Sequence, residues 1–119
     1  MDMTFIDDEE NFGKIGAAMN VGYMGQSGAT AIPKILSGEI SPSGKLADTV
    51  LYDPDVNEIS RVNGESKDIV YAEDIYVGYK FYETADKEGY FKDKTKFGKT
   101  GYDAVVQYPF GHGLSYTTF

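Results

Sequence analysis

The 119-residue chain has no cysteine. That excludes disulfides and thiolate zinc sites, and it leaves the compartment open. There is one histidine, His112. A Ser-His-Asp triad would have to use it, and a transition-metal site lacks the usual ligands, so no metal is expected. Positive charge is scarce: 11 Lys and Arg stand against 19 Asp and Glu, a net charge of -8. Nucleic acid and anionic lipid both call for a basic face, so neither is expected as a partner. No apolar run approaches the roughly 18 residues of a membrane-spanning helix. The start at Met1 is acidic rather than basic and then apolar. No signal peptide is read there, and a cytoplasmic location is slightly favoured.

What the chain does have is aromatic side chains, ten Tyr and seven Phe. Tyr has an apolar body and a polar tip, which suits half-wet surfaces and interfaces. Hydrophobic residues make up 41% and charged residues 25%, the balance of a soluble globular protein. The length allows one domain and one modest core.

The chain divides into short patterned pieces. Asp7 to Ile15 reads as a helix, with Asp7 as cap and Glu10 three residues on. Ala17 to Tyr23 is an apolar run fit for a buried, parallel strand. Gly22, Gly25 and Gly28 then turn the chain. Thr30 is the expected N-cap of a helix running to Ser37, with Ile32, Ile35 and Leu36 inward and Pro33 harmless in its first turn. Gly38 stops it. Strand, loop and helix in that order form half of a βαβ unit. Ser41 to Gly44 is turn chemistry. Leu46 to Tyr52 reads as a second strand and Asp53 to Asp68 as surface loop. Ile69 to Tyr82 is the most strand-like stretch, with Ile75, Val77, Tyr79 and Phe81 alternating onto one face. Residues 84–103 read as a long polar insert, flexible and without clear periodicity. Ala104 to Tyr108 is a short strand leading into the last stretch. There Gly111 and Gly113 allow a tight turn around His112, and Leu114, Tyr116 and Thr118 alternate as in a strand. The expected core is Val21, Ile32, Ile35, Leu36, Leu46, Ile75, Val77, Phe81, Val105 and Leu114.

Candidate chemistry is sparse. The glycine spacing at 22–28 is G-x-x-G-x-x-G rather than G-x-G-x-x-G, and no Gly-Lys-Ser/Thr follows, so no nucleotide cofactor is expected. Ligands of open α/β sheets sit at strand C-termini. That places Tyr23 and Gln26 where they could face a sugar. With 19 acids in the chain, finding a pair of carboxylates carries no information. His112, set between two glycines, reads as structural.

Three strings together point to a family. QYPFGHGLSYTTF, from Gln107 to Phe119, resembles the "PFG(H/Y)GLSYT(T)F" segment of family-3 glycoside hydrolases. NVGYMGQSGATAIPKILSGEISPSGKL, from Asn20 to Leu46, is similar to their "GYPGQEGGxAIADVLFGDxNPSGKLP". YAEDIYVGYKFYE, from Tyr71 to Glu83, is similar to "YxEGIYVGYRYYD". The resemblance implies the C-terminal part of an α/β-sandwich domain. Such a part is an open, mostly parallel sheet flanked by helices, with a long polar insert before the last strand. It implies a retaining β-glucosidase or β-xylosidase without a cofactor, acting on a β-glycoside substrate. The nucleophile would be an Asp on a barrel domain, upstream or downstream, whose motif has no match here. No catalytic residue is therefore assigned to this chain. Its partners would be that barrel, the rest of the sandwich and a fibronectin-III-like domain. Glu73 falls at the Glu of "YxEG" and is placed beside substrate with Tyr23 and Gln26; Asp74 stands where relatives carry Gly. The chain alone would be inactive scaffold and sugar-site wall. The alternatives are a non-catalytic carbohydrate-binding module and a purely structural one. An excised half-sheet would also bare an edge and apolar surface, giving a possible homodimer.

Overall fold

A computed structural model describes residues 2–56 and 71–118. The chain is a small mixture of helices and two-stranded antiparallel sheets. The first elements are short. A 3-10 turn, Thr4–Ile6, precedes α1, Glu9–Phe12. The cap of α1 is Asp8, not the expected Asp7: Asp8 Oδ1 accepts from Asn11 N at 3.2 Å. Acidic Glu9 and Glu10 suit the positive end of this helix. Asp7 is drawn elsewhere, as shown below, and the helix ends at Gly13 rather than at Ile15.

Residues 17–23 form no strand, and Val21 is exposed. A second 3-10 turn, Gly28–Thr30, runs into α2, Ala31–Leu36. The helix stands where the sequence put it, with Pro33 in its first turn and Gly38 after its end. Thr30 does not cap it in the usual way; its hydroxyl donates back to the Ser27 carbonyl. Ile32 and Ile35 are half-buried, but Leu36 is 69% exposed.

β1, Val50–Leu51, is shorter than the expected strand over 46–52. Residues 57–68 of the expected loop and 69–70 of the expected strand lie outside the described residues. The rest of that strand is absent. Residues 71–78 are irregular, and Tyr79–Lys87 is α3. Alternating aromatics up to Tyr82 suggested a strand. The good helix formers Glu83, Ala85 and Lys87 follow directly, and the structure buries Tyr82 and Ala85, spaced as on one helix face. α3 closes with a Schellman motif. Tyr90 N donates to Ala85 O at 2.9 Å and Gly89 N to Asp86 O at 2.8 Å.

The stretch 84–103 also carries regular structure. β2, Thr95–Lys96, and β3, Lys99–Thr100, make a hairpin. Its two-residue loop is Phe97-Gly98, both with positive φ, 48° and 75°. That is the backbone of a type I′ turn, whose twist matches the strands it joins. Phe is unusual there. Its ring compensates by packing on Tyr52, 5.5 Å between centroids. α4, Tyr102–Val105, leads into β4, Val106–Tyr108. β4 pairs antiparallel with β1, Val50 opposite Tyr108 and Leu51 opposite Val106, with a register shift between. No parallel pair occurs among the described residues. The final stretch is turn and extended chain, not a strand.

The core is therefore displaced towards the C-terminal half. Val50, Tyr52, Tyr82, Ala85, Phe91, Ala104, Val105 and Val106 are buried. Of the expected core, Val105 is buried, Phe81 packs on the cluster, and Ile32, Ile35 and Leu46 are half-buried. Val21, Leu36, Ile75, Val77 and Leu114 are exposed. The Cα radius of gyration is 17.1 Å, against about 13.5 Å for a compact domain of this length. The chain is looser than a self-contained domain.

Phe91→Ala should cost about 3–5 kcal/mol, because a ring of the central cluster is lost. Leu36→Ala should stay within about 0.5 kcal/mol. Urea unfolding of both variants checks the placement of the core.

Candidate functional site

The three residues expected beside a sugar sit on two segments. Tyr23 and Gln26 are both exposed on the 22–28 loop, and the Tyr23 side chain is fully open to solvent. Gly28 N donates to Gly25 O at 2.9 Å and closes the end of that loop. A Cβ at Gly28 would lie 2.5 Å from Met24 Cβ, so the loop is folded on itself and needs Gly there. Glu73 is half-buried on the other segment, in a turn where Tyr76 N donates to Glu73 O at 2.8 Å. Asp74 has φ 50°. That is the conformation glycine adopts freely and Asp tolerates better than most residues. The residue that departs from the resemblance thus keeps the backbone that a Gly would give.

His112 is held in its turn by its backbone. Its carbonyl accepts from Leu46 N at 2.8 Å, its N–H donates to Pro109 O at 3.0 Å, and its ring lies 5.0 Å from that of Tyr108.

The structure also shows a polar cluster that the sequence reading missed. The Asp7 carboxylate accepts from the Tyr52 hydroxyl at 2.6 Å and from Gln107 Nε2 at 2.9 Å. Lys99 Nζ lies 3.4 Å from its other oxygen and also donates to the Tyr52 hydroxyl. Gln107 Nε2 donates in addition to Met3 O at 2.7 Å. Burial opposes ionisation of Asp7. The bonds from Tyr52 and Gln107 and the charge of Lys99 outweigh it and hold the pKa below the ordinary carboxylate value. Burial, with the bond to Asp7, pushes the Tyr52 phenol well above its usual value. Burial and the Asp7 charge raise Tyr108 against the pull of Lys99. No local period announces such a cluster: the partners of Asp7 lie 45 to 100 residues from it. A cleft lined by Ile6, the acids 7–10 and Phe97 opens beside it. Among the described residues no group of three or more His, Cys, Asp or Glu side chains is placed to hold a metal ion. The cluster joins segments that lie far apart in the chain. No helix among the described residues is long and apolar enough to cross a membrane.

Comparison with known proteins gives this geometry a family. The glycosyl hydrolase family 3 C-terminal domain matches residues 2–79, and the chain belongs to that family. It is 39% identical to a β-glucosidase of Ruminococcus albus, over 100% of this chain and 10% of the relative. It is 41% identical to a probable β-glucosidase H of Emericella nidulans, over 82% of this chain and 10% of that protein. An exo-α-(1→6)-L-arabinopyranosidase of Bifidobacterium longum is 37% identical, over 81% of this chain and 11% of its own length. The chain thus spans about a tenth of the length of the curated relatives it matches. No solved structure matches it.

The Asp7 cluster makes stability acid-sensitive with a definite sign. The folded-state pKa is depressed, so the unfolded chain binds the proton first as pH falls. The contribution is full well above the ordinary aspartate value of about 3.9. It is lost as pH falls through the folded value. Asp7→Asn should flatten this acid limb, which a series of thermal melts between about pH 2 and 6 would record.

Proposed function

We propose that the chain is the C-terminal part of the α/β-sandwich domain of a β-glucosidase-like enzyme. On this reading the parent hydrolyses β-linked glucosides or xylosides with retention. The chain supplies scaffold and, through Tyr23, Gln26 and Glu73, one wall of the sugar site. The carrying observation is the match of residues 2–79 to the family's C-terminal domain. The chemistry of the three side chains fits the role. An open phenol ring stacks on sugar C–H faces, a carboxamide both donates and accepts, and a carboxylate accepts from hydroxyls.

Retaining hydrolysis needs two carboxyls about 5–5.5 Å apart across the bond. The nucleophile is read as an Asp on a barrel outside this chain, so the isolated chain should turn nothing over. Residues 84–103 are read as an insert on the scaffold. The run 17–23 is assigned to a parallel strand that forms only beside the parent's other strands; its apolar composition and the exposure of Val21 support this. A second reading, a non-catalytic sugar-binding module, draws on the open rings of Tyr71 and Tyr90 as well as Tyr23.

Aryl β-glucosides and β-xylosides should stay intact with the chain, while methyl β-glucoside should shift the amides of Tyr23 and Gln26. Hydrolysis that disappears in Glu73→Gln would relocate the active site to this chain. Without its parent domains the bare apolar surface should recruit a second copy, since charge repulsion is screened beyond about 8–10 Å whereas burial acts at contact. Sedimentation at micromolar concentration should show a dimer; a clean monomer would refute it.

A further inference from the structure

The C-terminal strap, residues 111–117, lies along residues 41–46. Leu46 N donates to His112 O, and Gly111 N returns a bond to Leu46 O, both at 2.8 Å. Lys45 Nζ donates to the Gly113 carbonyl. Ser41 Oγ accepts from Tyr116 N at 3.1 Å and shares a 2.9 Å hydrogen bond with Ser115 Oγ. The Tyr116 hydroxyl then donates to the Ile35 carbonyl, in the last turn of α2, at 2.9 Å. The fit is close. A Cβ at Gly113 would lie 2.4 Å from the Gly44 carbonyl oxygen, and backbone cannot swing aside as a side-chain tip can.

α2 has six residues and buries none of them. A helix that short has little stability of its own. Its ion pair, Lys34 with Glu39 at 3.3 Å, is exposed and adds little. Its position therefore depends on contacts that reach it from elsewhere, and the Tyr116 hydroxyl is a direct one. At the other end, α2 continues from the 3-10 turn Gly28–Thr30. That turn closes the 22–28 loop through the Gly28-to-Gly25 bond and the Met24 contact described above. The closing end of the loop, the turn and the helix thus form one connected piece.

We propose that Tyr116 is a positioning residue: its hydroxyl, held by the clasp of Ser41 and Ser115, fixes α2 and with it the loop that carries Tyr23 and Gln26. What the loop presents those residues to rests on the sugar-wall reading; the coupling itself does not. Tyr116 touches no sugar and acts only through the helix.

The test uses the whole chain, amide spectra and methyl β-glucoside as probe. Tyr116→Phe removes one hydroxyl. It should move the amides of Gly22, Gly25 and Gly28 and weaken their response to the sugar. Exchange at Ser37 and Gly38 should rise by roughly 2- to 10-fold, the loss of one hydrogen bond. The amides of Leu51, Tyr52 and Val106 should hold still. Ser41→Ala, which cuts the clasp at a second point, should give the same pattern. Leu114→Ala, an exposed change in the same strap, should not. Loop amides that stay put in both Tyr116→Phe and Ser41→Ala would overturn the proposal. So would shifts spread evenly over β1 and β4, which would mark a merely structural role. A wild-type chain blind to the sugar, but with a loop that moves in Tyr116→Phe, would sink the sugar-wall reading and leave the coupling standing. A sugar response untouched by both variants would do the reverse.

Discussion

Four segments meet at the carboxylate of Asp7. It joins the stretch before α1 to the residue after β1 through Tyr52, to the hairpin through Lys99, and to β4 through Gln107. A carboxylate drawn partly out of water is costly unless donors replace the water it loses. Here an O–H, an amide N–H and an ammonium do so. The Tyr52 hydroxyl is used twice, donating to Asp7 and accepting from Lys99. Hydrogen bonds to a charged group are worth about 1.5–3 kcal/mol each, whereas an exposed ion pair is worth at most about 1. The geometry of the donors therefore matters more than the charge of Lys99. The segment before α1 buries no residue of its own, so this polar docking is a main tie to the rest.

The buried residues all fall between Val50 and Gln107 among the described ones. The two ends of that excursion are held together where Leu46 exchanges bonds with Gly111 and His112. Holding the ends confines the loop, and the entropy of closing it is lost once rather than at every contact inside. The family match stops at residue 79, where α3 begins. The core is thus assembled from Val50 and Tyr52 on the matched side and from Tyr82 to Val106 beyond it. The alignment with the Ruminococcus albus β-glucosidase runs over the whole chain, so the second half is not foreign to the first.

How much of this was legible follows from how local each signal is. The position of α2, the role of Pro33 and the stop at Gly38 are decided within a few residues, and they read correctly. The cap of α1 was misplaced by one residue, since Asp7 and Asp8 are equally good caps by type and only the distant Tyr52 and Gln107 choose between them. Residues 75–82 misled because alternating aromatics mimic a strand, while the helical residues at 83–87 carry no strong period. The Phe97-Gly98 turn was hidden because Phe is not a turn residue; its ring contact with Tyr52 lies 45 positions away. The family was legible from three motif strings in order. The loop at 22–28 was legible from its glycines, but the Asp7 cluster was not, since long-range polar contacts leave no pattern in the chain.

The largest discrepancy concerns side chains whose pattern predicted burial and whose structure denies it. Val21, Leu36, Ile75, Val77 and Leu114 are 45% to 79% exposed. Burying a side chain of this size is worth about 1.5–3 kcal/mol. Five of them hold on the order of 10 kcal/mol that this chain does not realise, as much as the whole stability of an ordinary domain. Apolar periodicity records what a segment is suited to pack against, and it does not say whether the partner surface is in the same piece of chain. The five residues keep that periodicity, and the described residues place no surface over them. The same loosening appears in the radius of gyration, 17.1 Å, well above that of a compact domain. What the chain does bury is the cluster from Val50 to Val106, tied at Leu46 and docked at Asp7.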